Sequence, residues 1–237
     1  MAKITFACLD ELVLQDTTVH PKPISEVIPE WYKNVPTNLK EEYPLDYLSK
    51  VKTIKQCPSF VDIFKYGYVL LAPTDIVLKY NKQNADYTWE TPYYWETNNK
   101  GKPITIHPNA QFVDHLPSNS NYNFVFKINL PFNVFTPKDY VCIQLPYPYS
   151  FNDDWTSIYG KFDTSKVHET NVQIIHTSKK EEIVIKKGSP LCLYIPVKKD
   201  TLDLEVVDFN KRKDLQKRYA KYNFTMNSKF HHAYRDL

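Results

Sequence analysis

The sequence predicts a mainly β protein, a jelly-roll-like single domain with a short helix near residues 59–66 and a basic helix at the C-terminus. Three observations carry that prediction. Short β-branched and aromatic runs recur along the chain, each bounded by turn residues. The 18 tyrosines, 13 phenylalanines and 17 prolines stand against only 4 glycines, a balance that favours strands and interrupts helices. At 237 residues, 42% hydrophobic and 24% charged, the chain is long enough to bury a core of its own.

Residues 3–9 alternate well enough for a first strand. A proline-rich arm, about residues 16–50, follows. Its prolines forbid long helices and leave an extended path with one short turn around Trp31, which packs either over its own domain or onto a neighbouring subunit. Val51 to Lys55 alternates before Cys57-Pro58 breaks the run. Phe60, Ile63 and Phe64 then share one face of a short helix capped by Ser59 or Pro58 and ended by Gly67. Tyr68–Ala72, Asp75–Tyr80 and Tyr87–Glu90 read as strands of a hairpin or meander, with Pro73 between the first two. Ile104–His107 and Asn123–Ile128 resume β character on either side of a polar loop at 117–121.

From Pro131 to Val197 the alternation of strand and turn is most regular. Tyr140–Leu145 and Val172–His176 are too short and too β-branched for helices. Glu182–Ile185 runs into Lys186-Lys187-Gly188 and then Leu191–Ile195, which predicts a hairpin with glycine supplying the positive φ of its turn. The last stretch differs in kind. Beyond Asp208, an N-cap by type, Lys211, Arg212, Lys213, Lys217, Arg218 and Lys221 accompany a face marked by Leu215, Tyr219 and Tyr222, the pattern of a basic amphipathic helix followed by an aromatic tail. The expected division is a β-rich domain over 1–205 and a helical extension over 206–237.

Several chemistries are excluded by what the sequence lacks. The glycines are too far apart for either glycine-rich phosphate loop, and no G-x-S-x-G or Cys–His signature supports nucleophilic catalysis. No histidine has an acidic residue two positions on, as a facial-triad iron site would require, and Cys8, Cys57, Cys142 and Cys192 form no C-x-x-C pair. Those cysteines read as reduced intracellular thiols. No metal, cofactor or catalytic residue is therefore expected. A net charge of +3 is too small to imply a polyanion partner for the whole molecule, and no apolar run approaches the roughly 18 residues of a membrane span.

The residues left to weigh are few. His107 with Gln111 could form a polar pair at a loop mouth, or His107 could bond to local backbone. Asp163, after Gly160-Lys161-Phe162, is either a turn carboxylate capping backbone N–H groups or a ligand-facing one. Trp31 and Tyr32 on the arm, and Lys211, Arg212, Lys213, Lys217, Arg218 and Lys221 on the helix, are candidates for protein contacts. For the basic helix a solvated face is the default reading, with binding to nucleic acid or an acidic protein surface as the sharper one.

Two resemblances bear on function. Gly160-x-Phe162-Asp163 and Ile185-x-x-Gly188 before an apolar strand resemble motifs of the deoxyuridine triphosphatase and deoxycytidine deaminase family, which implies a β-clip, a compact distorted jelly roll that assembles as a trimer. By that resemblance Asp163 stands where the family has its water-activating or sugar-facing aspartate. Lys166 replaces an expected aromatic residue, and Leu145-Pro146-Tyr147-Pro148 replaces a phosphate-binding segment, so the resemblance implies the fold without the triphosphatase chemistry. Across most of residues 3–235 the chain resembles proteins of marine tailed phages and some bacteria. The residues that carry this are the P-x-W-Y-K-x-x-P arm, Thr53-Ile54-Lys55-x-Cys57-Pro58-x-Phe60, Thr136-Pro137-x-x-Tyr140 and Gly188-x-Pro190-Leu191. It implies a phage-type protein without implying a reaction.

The first functional expectation is thus a non-enzymatic virion component or host-interaction factor, located in the host cytoplasm or the particle. Its expected partners are copies of itself or other virion or host proteins, with nucleic acid less favoured and no membrane. The alternative is a small-molecule or nucleotide-binding β-clip protein, hydrolytic or not, whose pocket uses Asp163, His107 and aromatic side chains.

Overall fold

The computed structural model describes residues 2–38, 53–81, 86–98, 102–117 and 122–229. The chain divides into two units, Met1–Asn34 with Ile63–Lys199, and Val35–Asp62 with Asp200–Leu237. Every described strand belongs to the first unit, and the architecture is mainly β, of jelly-roll or β-clip type.

Three antiparallel sheets make it up. The first joins β1 (Thr5–Cys8), β7 (Val125–Phe135), β11 (Glu169–His176) and β9 (Trp155–Ser157) in that order, with β6 (Ile104–His107) also on β7. The second runs β10 (Gly160–Phe162), β8 (Tyr140–Pro146), β13 (Pro190–Lys198), β3 (Tyr68–Leu71) and β2 (Lys22–Pro23). The third is β12 (Glu182–Ile185), β4 (Ile76–Asn81) and β5 (Asp86–Glu90). All three contribute to one core: Ile128 and Ile174 from the first, Leu70, Cys192 and Tyr194 from the second, and Ile76, Leu78 and Ile185 from the third.

The predicted hairpin at 182–195 is not one. Its turn forms, with Gly188 at φ 76° and the Ser189 N–H donating to Lys186 O at 2.9 Å, but β12 pairs with β4 while β13 pairs with β8 and β3. The strands β3 and β4 part in the same way at Pro73. These two corners lie together: Ala72 N–H donates to Ser189 O at 3.0 Å and Gly188 N–H to Ala72 O at 2.8 Å. A two-stranded ribbon therefore bends from one sheet into another at a shared corner. Its backbone donors are satisfied across the corner rather than within a hairpin. Only β4 with β5 keeps the predicted pairing.

The strand expected at 123–128 extends to Phe135, through Pro131. Proline removes a ladder donor, yet here it falls between the stretch of β7 paired with β6 and the stretch paired with β1, opposite a register shift in β11, so no ladder bond is lost to it. The run expected as a strand before Cys57 is instead a 3₁₀ turn, Ile54–Gln56, with Thr53 Oγ accepting from Lys55 N–H at 3.3 Å; Val51 and Lys52 lie outside the described residues.

Helical segments are short except the last. Helix α1 (Glu11–Gln15) is capped by Asp10, α2 (Glu30–Lys33) is a single turn, and α3 (Pro58–Asp62) is followed by a 3₁₀ turn over Ile63–Lys65. Gly67 ends that segment at φ 110°. A side chain there would place its Cβ 2.7 Å from Tyr194 O, so the position needs glycine on both counts. Asp208 caps a 3₁₀ turn at Phe209–Lys211, and α4 spans Lys213–Lys229. No described helix is long and apolar enough to cross a membrane. The predicted 118–121 loop and the 230–237 tail lie outside the described residues.

Candidate functional site

The register of β7 decides what the sequence-predicted residues can do together. His107 lies opposite Val125 at one end of this 11-residue strand, while Asp163 follows β10 at the other end, where Thr164 Oγ meets Thr136 Oγ at 2.7 Å. At ~3.4 Å per residue the two ends are roughly 30 Å apart. The structure does not bring Asp163 and His107 into one pocket.

Asp163 is satisfied where it stands, whereas His107 is bonded at Nδ1 and leaves its buried Nε2 without a hydrogen-bond partner among the described residues. His107 Nδ1 pairs with Gln111 Oε1 at 2.9 Å, the polar pair predicted for the loop mouth. Asp163 opens a turn: its carboxylate accepts from Ser165 Oγ at 2.6 Å and Ser165 N–H at 3.3 Å, and Lys199 Nζ sits 2.7 Å away. The ion-paired Lys199, then Ser165, hold its pKa down to about 2. Lys199 also donates to Ser165 Oγ at 2.8 Å, but an ammonium held beside a carboxylate stays charged and cannot serve as a base for that serine. This is a structural turn.

The basic residues differ among themselves. Arg212 is committed to Asp214 at 2.8 Å and Glu205 at 3.1 Å, and Lys211 lies 3.7 Å from Asp208. Lys213, Lys217, Arg218 and Lys221 form no ion pair among the described residues. Trp31 and Tyr32 pack within their own unit. Trp31 Nε1 donates to Tyr149 O at 3.0 Å and its ring lies 5.2 Å from that of Phe151, while Tyr32 rests 5.1 Å from Phe64.

That packing of Trp31 builds one wall of a cleft of about 440 Å³, within the ~300–1,000 Å³ typical of small-molecule sites. The segment after β8, Pro146-Tyr147-Pro148-Tyr149-Ser150-Phe151-Asn152, runs along it with Tyr149 at φ 55° and Phe151 at φ 48°. Bulky residues rarely adopt that conformation, at a cost of about 1–3 kcal/mol each, and such strain persists only where neighbours over-determine it. Here Trp31 grips the Tyr149 carbonyl, the Tyr147 hydroxyl donates to Val27 O, and Asn152 Oδ1 accepts from Asp154 N–H at 2.9 Å. The opposite wall is β9 with the end of β12 and the corner before β13, including Trp155, Val184 and Leu191.

Charges in this cleft cancel in pairs. Glu30 is matched by Lys33 at 3.1 Å and Lys186 by Asp75 at 3.1 Å, while Lys180 at 2.9 Å lowers the pKa of Asp154. The uncommitted group is neutral. Ser157 lines the cleft at 2% exposure, and its hydroxyl has no hydrogen-bond partner among the described residues. On the adjoining sheet, Gln144 donates its amide to Ile158 O at 2.7 Å but leaves Oε1 unpaired, and the hydroxyl of Tyr194, the cross-strand neighbour of Gln144, is likewise buried and unpaired among the described residues; neither lines the cleft. An unsatisfied buried polar group costs about 1–3 kcal/mol, so a buried hydroxyl left open in the wall of a cleft marks a place where a polar guest is favoured. A second cleft, about 560 Å³ beside Lys79, Tyr80 and Tyr87, lacks that feature, and its Lys79 is held by Glu90 at 2.7 Å.

Sequence reasoning missed this site. The proline-aromatic run 146–151 was visible, but nothing in the sequence distinguishes Ser157 from any other serine. Among the described residues no group of three or more His, Cys, Asp or Glu could hold a metal ion.

No protein-family model matches the sequence, and no curated protein does. Solved structures do match. A mutant dUTPase from phage phi11 of S. aureus aligns over 87% of this chain and 97% of its own at 11% identity and TM-score 0.37. The dUTPase of Staphylococcus bacteriophage 80alpha, solved with dUPNHPP, aligns over 87% and 88% at 11% identity and TM-score 0.39. A further mutant of the phage 80alpha dUTPase covers 89% and 93% at 11% identity and TM-score 0.39. The expectation of a non-enzymatic virion component or host-interaction factor is corrected accordingly. The matching structures named here are phage dUTPases.

Proposed function

We propose that this protein binds a small planar molecule, of the nucleobase or nucleoside class, in the cleft walled by Trp31, Tyr147 and Trp155. The observation that carries the reading is the Ser157 hydroxyl, buried in the cleft and without a partner. Aromatic side chains offer stacking surface to a flat ring, and the Ser157 hydroxyl offers both a donor and an acceptor to its edge. Since every charge at the rim is neutralised, the bound portion is uncharged. A phosphate tail would extend outward, beyond the Lys186–Asp75 pair.

Trp31 and Trp155 serve as internal reporters. Titration with thymidine, deoxyuridine, cytidine and adenosine is expected to quench tryptophan fluorescence and raise the melting temperature by several degrees for at least one of them. Trp155→Ala is expected to weaken that ligand at least tenfold. A flat titration with the whole panel at millimolar concentration, or unchanged affinity in Trp155→Ala, overturns the reading.

A further inference from the structure

The second unit carries a feature of another kind. The start of α4 is held by its own side chains: Asp208 caps the preceding turn, Arg212 reaches Glu205 at 3.1 Å and Asp214 at 2.8 Å, and Gln216 donates its amide to the carbonyls of Phe209 and Asn210 at 3.1 Å. Lys211 and Arg212 are committed there. Lys213, Lys217, Arg218 and Lys221 are exposed and form no ion pair among the described residues. Asp214 is the only acidic residue of α4, and Arg212 neutralises it. Lys213, Lys217 and Lys221 recur every four residues, so they make one row that rises ~6 Å per step, with Arg218 beside it. Lys213 opens the helix, where the backbone dipole disfavours a cation and adds to the attraction for an anion. Tyr222 follows Arg218 by four residues and Tyr219 by three, so the two rings adjoin along the border of the cationic face. They are 57% and 56% exposed, and the Tyr219 ring is braced edge-on by Phe209 at 5.8 Å.

We propose that this face of α4 binds single-stranded nucleic acid, with Lys213, Lys217, Arg218 and Lys221 on the phosphates and Tyr219 and Tyr222 stacked on bases. Charge complementarity selects a polyanion, since four cations are left unmatched on one side of a helix whose single carboxylate is already paired. The rings select its kind. An acidic protein surface would use the cations and leave the exposed tyrosines idle. A membrane surface needs a broad apolar face, whereas residues 213–222 offer only Leu215 and Ala220 besides the tyrosines. A duplex keeps its bases stacked on one another, so exposed rings gain most from bases that are unpaired. An evenly spaced cation row that tracks a phosphate backbone, bordered by aromatic rings, is the combination that single strands reward without regard to sequence.

Fluorescence anisotropy of the full chain with a labelled short oligothymidylate tests this, independently of any ligand in the cleft. Four phosphate contacts to a single strand predict a slope of about −3 for log affinity against log salt, a roughly fiftyfold loss between about 50 and about 200 mM. Lys217→Gln is expected to weaken binding and make that slope shallower by about 0.7. Tyr222→Ala is expected to weaken binding at least about fivefold with the slope unchanged, because a stacked ring releases no counterion. A duplex of the same length is expected to bind more weakly at matched salt. Both side chains are exposed, so both variants are expected to keep the wild-type melting temperature and nucleoside titration. No anisotropy change at the lowest salt, or an unaltered slope in Lys217→Gln, overturns the proposal. So does wild-type affinity in Tyr222→Ala, which would make the face a general polyanion surface, or a duplex that binds as tightly as the single strand.

Discussion

The turn at Asp163 and the cleft at Ser157 lie on successive strands and are built from similar residues, yet they have opposite chemical character. At the turn, every polar group present is used: Asp163 by Ser165 and Lys199, Thr164 by Thr136, and His168 Nδ1 by the carbonyls of Val134 and Thr164 at 3.1 and 3.2 Å. At the cleft the charges cancel and the neutral hydroxyl is left over. A binding site is thus located by hydrogen-bonding capacity that remains after folding, not by the presence of an aspartate. That is why the more conspicuous residue is the structural one.

The comparison can be broken most sharply with two buried hydroxyls of nearly equal exposure, Thr164 at 1% and Ser157 at 2%. Thr164→Val removes a satisfied donor and strands Thr136, and is expected to cost about 1–2 kcal/mol by denaturant titration. Ser157→Ala removes an unsatisfied one. It is expected to leave stability unchanged or raise it by up to about 1 kcal/mol, while weakening the nucleoside ligand several-fold. If both substitutions destabilised equally, Ser157 would have a partner in solution and the contrast would collapse.

How much of this was legible in the sequence follows from the range of each interaction. Strands such as β8, β12 and β13 were readable because β-branched runs and turn residues act over a few positions. Which strands pair was not: Glu182–Ile185 and Leu191–Ile195 have the spacing of a hairpin, and only the contact of Gly188 with Ala72, more than a hundred residues away in sequence, sends them to different sheets. Likewise the strand read over Asn123–Ile128 runs on through Pro131, because the harmlessness of that proline depends on where β6 ends and β1 begins. The Asx turn at Asp163 and the His107–Gln111 pair are local and were visible. The cleft needs Trp31, Ser157 and Leu191 together, and no window of sequence contains them.

The smallest expected effect belongs to Asp163 itself, and its sign is what matters. Its folded pKa, about 2, lies below the value near ~4 of an unfolded aspartate, so its pairing adds stability that is fully present above about pH 4 and is lost as pH falls through about 2. The carboxylate is partly exposed, and screening by solvent and salt keeps that contribution small. Asp163→Asn is therefore expected to lower the melting temperature slightly at pH 7. Its deficit relative to the wild type should shrink between pH 4 and pH 2, and its nucleoside titration should match the wild type throughout. A lysine beside an amide cannot reproduce the ion pair, whereas the Ser165 contacts survive, so the pH dependence isolates the Lys199 partnership from the turn. Loss of ligand binding in Asp163→Asn with the fold intact would instead return the site to this turn, against everything its saturated hydrogen bonds imply.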